Sequence, residues 1–300
     1  MLKDISSNLS YFDFPSRIIL YQKEGRAILI DSGLDPRMGR KVIRHLKKRE
    51  IIPELLIITH GHADHFGGGQ EIKDNYPGMK VLSSRLAKSM LESPEYEPYY
   101  LYSAEPISKL RNKFLMGNQL QVDQVIAPGN DLDILDESWH ILDLAGHSPG
   151  QIGLINPAGQ VLIGDSVFSK RVIEKHGLVY YFNIGQAIST LEKLLELDRR
   201  EEYNLFIPGH GRPYKSLKEI IKLNLEVIEE TLEIIRGEIK KGPQSREELV
   251  AHLMQEYQVD DNITQYFLSS SIISAYLTYL KEEKEIRIKV QNGQLRFTSR

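Results

Sequence analysis

The sequence feature that most constrains this chain is the run THGHADHFGG at residues 59–68, which follows the apolar stretch LLII at 55–58. Side chains two apart on an extended strand end point the same way, so His60 and His62 are expected to face one centre. Asp64 continues this alternation and His65 departs from it, which directs these two toward a neighbouring centre. The glycines at 67–69 allow a tight turn into a helix. Three imidazoles and a carboxylate in six residues favour a metal site.

Three further candidates follow apolar strands elsewhere, each beside a glycine. His147 lies in AGHSPG, Asp165 in LIGDS and His210 in IPGHG. The chain contains no cysteine, so His, Asp, Glu and backbone oxygens are the available metal ligands. If four strand ends converge at one edge, they bring seven ligands together, which suits two metals that share one carboxylate. The seven are His60, His62, Asp64, His65, His147, Asp165 and His210.

The motifs THxHxDHxGG, GHSPG, GDxxF and PGHG, in this order, resemble the metallo-β-lactamase superfamily. The segment Asp31-Ser32-Gly33 matches an early element of that family, and the resemblance covers about 15–215. It implies an α/β fold, a four-layer αββα sandwich with a two-metal site at one sheet edge. It also implies how the ligands divide between the metals. The first metal takes His60, His62 and His147, the second takes Asp64, His65 and His210, and Asp165 bridges them. Asp31 is expected to support the site rather than bind metal.

The resemblance implies a metal-dependent hydrolase. Two divalent ions, zinc before iron or manganese, hold a bridging water that becomes the attacking hydroxide. Asp64 is the expected catalytic residue, which orients the hydroxide and relays its proton. Relatives with a cysteine ligand are excluded, and flavin-linked di-iron oxidoreductases carry Glu where His62 stands. The favoured substrate is a small ester, thioester or lactone, as in the glyoxalase II group. Two alternatives stay open: an endoribonuclease acting on single-stranded RNA and a one-iron dioxygenase of the same fold.

The C-terminal part is predicted to be a separate unit. Gly242-Pro243 stops a long helix, Ser245 and Glu248 have capping-box spacing, and Asn292-Gly293 indicates a hairpin. Three helices and a hairpin in about 60 residues are typical of a winged helix. The predicted organisation is a hydrolase body at 1–220, a linking helix at 221–242 and a winged-helix-like α+β domain at 243–300.

Charge argues against a nucleic-acid partner for this unit. Residues 243–300 carry seven basic and eight acidic side chains, and the candidate recognition helix FLSSSIISAYLTYL has no Lys or Arg. We therefore expect the unit to pack on the body or a partner subunit and to shape the pocket entrance. The whole chain has a net charge of −3, no signal-like start and no long apolar run. These features favour a cytoplasmic enzyme with a small-molecule substrate and no membrane contact. They leave homo-oligomerisation open.

Overall fold

The computed structural model describes residues 2–300, in which two β-sheets pack face to face between layers of helices. The first sheet has seven strands in chain order. Its strands are β1 (Leu2–Asp4), β2 (Leu9–Phe12), β3 (Ile18–Lys23), β4 (Arg26–Ile30), β5 (Pro53–Ile58), β6 (Lys80–Ser83) and β7 (Gln124–Val125). Strands β3 and β4 form a hairpin, because Glu24 and Gly25 both take the positive φ angles, 51° and 80°, that its tight turn needs.

The second sheet has five strands in the order β12-β11-β10-β9-β8. They are β8 (Asp131–Ile134), β9 (Glu137–Asp143), β10 (Ile152–Ile155), β11 (Gln160–Gly164) and β12 (Leu205–Pro208). Strand β10 is antiparallel to both β9 and β11, and β11 is parallel to β12. Strands β9, β11 and β12 therefore run in the same direction and end at the same edge.

An apolar core fills the space between the sheets. Ile28, Ile57 and Leu82 of the first sheet meet Leu154 and other side chains of the second in one buried cluster. Trp139 is fully buried there and packs edge-on against Tyr21, with ring centroids 4.9 Å apart. Because both faces of each sheet are covered, the strand sequences are continuous apolar runs and do not alternate between apolar and polar residues.

Helices cover the outer faces of both sheets. The first sheet is covered by α1 (Pro36–Lys48), α2 (Ala63–Phe66), α3 (Gly69–Asn75) and α4 (Arg85–Glu92), and α5 (Tyr96–Tyr102) follows. The second sheet is covered by α6 (Lys170–His176), α7 (Ile184–Asp198) and α8 (Lys218–Lys241). Helix α1 begins at Pro36, because the Asp35 side chain accepts hydrogen bonds from the first free backbone amides. The four layers confirm the predicted αββα sandwich.

The C-terminal region contains α9 (Arg246–Glu256), α10 (Ile263–Glu282) and a hairpin of β13 (Ile286–Gln291) and β14 (Gln294–Ser299). The capping box of Ser245 and Glu248 is present. Two helices follow Pro243 instead of the three expected, because α10 continues without interruption for 20 residues. Leu253 and Ile273 belong to the same apolar cluster as α7 and α8 of the body. The domain boundaries and the winged-helix architecture stay predictions. None of the helices in residues 2–300 has the length and apolar character needed to cross a bilayer.

Candidate metal centre

The predicted ligands lie where strands from both sheets end. His60 and His62 follow β5, and His147, Asp165 and His210 follow β9, β11 and β12. The amide of Ile152 donates to the carbonyl of Thr59 at 3.0 Å, which joins the end of β5 to the second sheet. Open α/β sheets commonly place their sites beyond the carboxyl ends of strands.

The prediction that Asp64 continues the strand alternation of His60 and His62 is wrong. Asp64 and His65 lie in the short helix α2, which begins after His62, so their side chains diverge by a helical step instead of alternating. Asp64 and His65 nevertheless point to a neighbouring centre, as predicted, because this helical turn directs both side chains to a second group of donors. Gly67 permits the Leu34 backbone to pack closely against this turn, since a Cβ atom at Gly67 would lie 2.0 Å from the Leu34 carbonyl oxygen.

All seven predicted residues come together in one cluster. Potential ligand atoms lie within 4.8 Å of one another in three groups: His60, His62 and His147; Asp64, His65 and His210; and His60, His65 and Asp165. We call the first two the inner group and the outer group. The inner group is the predicted set of the first metal, and the outer group is the predicted set of the second.

Asp165 lies between the inner and outer groups. Its Oδ2 atom is 3.1 Å from His210 Nε2 and 3.4 Å from His65 Nε2, on the outer side. The same oxygen is 3.8 Å from His147 Nε2, on the inner side. Gly209 makes this approach feasible, because a Cβ atom at that position would lie 2.2 Å from Asp165 Oδ1. One carboxylate oxygen that faces both groups has the geometry expected of a bridge.

Hydrogen bonds orient the inner imidazoles from behind. His147 Nδ1 donates to the Tyr180 carbonyl at 2.9 Å. Thr59 Oγ1 donates to Asp31 Oδ2 at 2.9 Å and so accepts from His60 Nδ1 at 3.0 Å. In both histidines Nδ1 carries the proton, and the lone pair of Nε2 faces the cluster. A partner on the far nitrogen that fixes the tautomer is typical of metal-binding histidines.

The outer imidazoles are oriented in the same way. His65 Nδ1 donates to Asp31 Oδ2 at 2.7 Å, and His210 Nδ1 donates to the Pro15 carbonyl at 2.7 Å. Asp31 is held in the left-handed region at φ 61°, and its Oδ1 also accepts from the Thr59 amide at 2.8 Å. Such strain in a non-glycine residue often marks functional sites. Asp31 therefore supports both groups from behind, as expected.

The site also contains buried polar atoms that lack a partner among the described residues. His60 Nε2, His65 Nε2 and Asp165 Oδ1 are buried and make no hydrogen bond there. An unpaired buried polar atom costs about 1–3 kcal/mol, so three in one cluster require an explanation. His62 Nδ1 and His147 Nε2 are 2.9 Å apart, near the spacing of about 3.3 Å for neighbouring nitrogens around a tetrahedral ion. The donor set and its orphaned atoms therefore fit divalent cations.

The electrostatics differ between the two groups. Burial, and then the neighbouring imidazoles, lower the pKa of His60 well below its ordinary value and that of His62 to about 3. Burial alone would also lower the pKa of His210, but the carboxylates of Asp165 and Asp64 raise it to about 10. The inner group thus offers neutral imidazoles, which can donate lone pairs, whereas the outer group attracts positive charge.

Several contributors were not singled out by the sequence. The Pro15 and Tyr180 carbonyls orient histidines, and Ser16 Oγ donates to the Asp64 carbonyl at 2.5 Å. The buried Arg17 guanidinium donates to the Pro208 carbonyl at 2.7 Å and so fixes the end of β12 beside His210. Backbone acceptors carry no side-chain signature in a sequence. For Arg17, its position directly before strand β3 was the only local feature of the sequence that could have indicated this role.

The aromatic residues of α5 and of the segment after α6 have two different roles. The Tyr180 ring lies 5.7 Å from the His62 ring and 5.9 Å from the His147 ring, so it lines the cluster. Tyr102 instead packs on Phe267 of α10, with ring centroids 5.3 Å apart, and joins α5 to the C-terminal region.

Three basic residues that follow Asp165 and His210 closely in the sequence lie at the surface. Lys170, Arg171 and Arg212 are exposed. Lys170 pairs with Glu174 on its own helix, with 3.6 Å between Nζ and Oε1. Within residues 2–300, no hydrogen bond or ion pair joins these three side chains to the seven clustered residues.

Comparison with known proteins agrees with this fold and cluster. The profile of the Metallo-beta-lactamase superfamily matches residues 11–210. The chain belongs to this superfamily and is an enzyme of its hydrolase class. Membership implies divalent metal ions, and the His and Asp cluster is the part of the structure suited to them.

The chain resembles several bacterial proteins at low identity. It is 26% identical over 208 residues to a hydroxyacylglutathione hydrolase of Vibrio cholerae. The aligned region covers 69% of this chain and 67% of that protein. A match to the Vibrio vulnificus enzyme spans only 53% of its length. Among solved structures, a metallo-beta-lactamase family protein from Thermus thermophilus superposes with a TM-score of 0.76 at 18% identity, covering 99% of this chain and all of that one. This likeness shows a shared fold that extends through the C-terminal region.

Proposed function

We propose that this protein hydrolyses a small thioester at the cluster formed by the inner and outer groups. The proposal rests chiefly on the back-side hydrogen bonds, which turn the Nε2 atoms of four histidines toward a common centre. Two of these atoms, His60 Nε2 and His65 Nε2, are buried without a hydrogen bond to the described residues, whereas purely structural histidines are normally paired. The preference for a thioester over another ester or a lactone comes from the similarity to hydroxyacylglutathione hydrolases.

The proposed ligands divide as the family resemblance implies. The inner group, His60, His62 and His147, would hold one divalent ion, and the outer group, Asp64, His65 and His210, would hold the other. Asp165, whose carboxylate faces both groups, would be shared between them. Zinc suits these imidazole and carboxylate donors, as do iron and manganese. When bound, such a pair of ions lowers the pKa of water and polarises a carbonyl oxygen.

The protein side chains have distinct parts in the proposed reaction. Asp64 Oδ2 lies at the open side of the cluster, 3.1 Å from His210 Nε2, and its side chain is 34% exposed. From there Asp64 orients the attacking water and accepts its proton. As water adds to the thioester carbon, the C–S bond breaks. Asp64 then passes the proton to the departing sulfur, so the products are a carboxylic acid and a thiol.

A cavity of about 330 Å³ lies next to two neighbours of the cluster, although none of the seven clustered residues lines it. Phe168 and Tyr180 line it, and their rings lie 5.6 Å and 5.9 Å from the His147 ring. Another part of its wall comes from the C-terminal region and includes Leu268 and Ile272 of α10. We therefore expect the C-terminal unit to shape the approach to the site through Phe168 and Tyr180.

The test is a hydrolysis panel on the full-length, metal-loaded protein. Thioesters, lactones, bis-phosphodiesters and single-stranded RNA are compared, and thioesters are expected to be turned over fastest. Thiol release can be followed with a thiol reagent, because the protein has no cysteine to react with it. His62→Ala is expected to abolish turnover. His252→Ala is the matched control, because His252 lies on α9, away from the cluster, and pairs with Glu238.

Two results would overturn the proposal. If His62→Ala hydrolysed the thioester as fast as the unaltered enzyme, the assignment of the site to this cluster would be refuted. Cleavage of RNA without any thioester turnover would instead favour the endoribonuclease alternative.

A further inference from the structure

A short segment directly before β3 contacts both sides of the outer group. It consists of Pro15, Ser16 and Arg17, and we call it the 15–17 segment. The Pro15 carbonyl accepts from His210 Nδ1 at 2.7 Å, and Ser16 Oγ donates to the Asp64 carbonyl at 2.5 Å. Asp64 and His210 are far apart in the chain, so consecutive residues of this segment join the two halves of the outer group.

Arg17 holds the loop that carries His210. Its backbone amide donates to the Gly209 carbonyl at 2.8 Å. Its guanidinium donates to the Pro208 carbonyl at 2.7 Å and also to the Gly211 carbonyl. These three carbonyls flank His210 on both sides. Because the glycines beside His210 give the loop wide conformational freedom, contacts from outside the loop are needed to keep it in one conformation.

Ser16 pairs with a carbonyl that its own helix leaves free. Helix α2 is only four residues long, so its carbonyls need partners outside the helix. The Gly68 amide, which would reach the Asp64 carbonyl in a longer helix, donates to the Gly33 carbonyl at 3.0 Å. Ser16 Oγ supplies the missing bond and thereby fixes the backbone of Asp64 beside β3.

Support of the fold alone does not account for Arg17. The residue is only 3% exposed, it pairs with no carboxylate within residues 2–300, and its Nε atom has no hydrogen bond there. A buried charge without an opposite charge destabilises a protein, and an apolar side chain would avoid this cost. The guanidinium also lies over the Tyr11 ring, 4.6 Å from its centroid, where an apolar side chain could pack equally well. The bonds to the loop of His210 therefore distinguish Arg17 from an apolar residue.

The 15–17 segment acts on the outer group alone. In the described part of the chain it makes no hydrogen bond to a residue of the inner group. The imidazoles of His60 and His147 are instead oriented by Thr59 and by the Tyr180 carbonyl. A change in the 15–17 segment can therefore alter the outer group without a direct effect on the inner group.

We propose that Ser16 and Arg17 are positioning residues that determine how tightly the outer group holds its metal ion. They act by fixing the distance between the Asp64 and His210 side chains, whose Oδ2 and Nε2 atoms lie 3.1 Å apart. Donors that are already at the spacing required by one ion bind it more tightly than donors that must first be brought together. The inference rests on the proposed function, because it requires that both groups hold metal ions.

Metal binding tests the inference without catalysis. Full-length protein freed of metal is titrated with zinc by calorimetry, and the binding event that His210→Ala removes identifies the outer ion. Arg17→Met keeps a long side chain without donors. It should weaken the outer ion about 10–100-fold and the inner ion less than about threefold. Arg44→Met changes an exposed arginine of α1 and, as the matched control, should change neither affinity.

Ser16 provides an independent test that does not alter a buried charge. Ser16→Ala removes one hydrogen bond and should weaken the outer ion about three- to tenfold, again with little change at the inner ion. Ser89→Ala is the matched control, because Ser89 Oγ also donates to a backbone carbonyl, that of Arg85, but on the exposed side of α4. If Arg17→Met does not fold, Ser16→Ala decides the question.

Thioester turnover of the same proteins separates this inference from the proposed function. The inference is overturned if neither variant weakens the outer ion more than the inner ion, or if His210→Ala removes no binding event. Thioester hydrolysis by the unaltered protein, together with either of these results, leaves the function intact. Selective weakening of the outer ion, without thioester hydrolysis by the unaltered protein, overturns the function and leaves the roles of Ser16 and Arg17 intact.

Discussion

The inner and outer groups use similar imidazoles but differ in depth and charge. His60 is fully buried and His147 is 7% exposed, whereas the side chains of His210 and Asp64 in the outer group are 35% and 34% exposed. The inner group contains only imidazoles, and the outer group includes a carboxylate. This difference implies that an ion in the inner group is the more permanent, and that an ion in the outer group exchanges with solvent more readily.

The largest expected effect comes from deleting a fully buried histidine of the inner group. His60→Ala should lower kcat/KM by more than about 1000-fold, because a lost ligand forfeits several kcal/mol of transition-state stabilisation. His210→Ala, at the exposed side, should lower it less. Steady-state kinetics with metal content checked by elemental analysis measures both. His140→Ala, on the surface beside Asp131, is the control. A larger loss for His210→Ala than for His60→Ala would reverse the comparison.

Substitution of Asp31, which supports both groups from behind, should weaken metal binding at the outer group more than at the inner group. Asp31→Asn leaves one acceptor oxygen where His65 and Thr59 now use two. We expect metal affinity to weaken about 10–100-fold, mainly at the outer group, where Asp31 contacts a histidine directly. Competition with a metal-sensitive dye measures the affinity of each ion. Asp136→Asn changes an exposed carboxylate that pairs with Arg26 and should have no effect. Equal weakening of both ions would mean that Asp31 does not distinguish the groups.

Chelation should separate the ions in time. Because the outer group is partly exposed, a chelator is expected to remove one ion several-fold faster than the other. Activity and bound metal are followed together during dialysis against the chelator. Readdition of a single equivalent of metal should refill the inner group first. Simultaneous loss of both ions in one phase would show that the difference in exposure does not control exchange.

The smallest effect is expected from Tyr180→Phe. The Tyr180 carbonyl, rather than its hydroxyl, orients His147, so metal content and affinity should change less than about twofold. The variant keeps the ring beside His62. Metal titration of this variant measures how far the backbone alone supports the inner group. A large loss of metal would mean that the hydroxyl, through Ser271 and α10, also holds the inner group in place.

The sequence predicted which side chains cluster better than it predicted what surrounds them. His60, His62, Asp64 and His65 share one short run, and glycine beside His147 and His210 marked strand ends, so local spacing carried the information. The supporting contacts join residues far apart in the chain. His210 and Pro15 are 195 positions apart, and His147 and Tyr180 are 33 apart. Because backbone carbonyls accept these bonds, any residue type could occupy such positions, and the sequence could not reveal them.

The sequence by itself determined the strands, the sharp turns and the chemical types of the seven clustered side chains, because apolar runs, glycines and histidine spacing act locally. Only the tertiary structure decided which nitrogen of each histidine faces the cluster and which backbone carbonyls hold the imidazoles in place. These outcomes depend on how two sheets and a C-terminal helix pack together, and packing is a property of the whole chain.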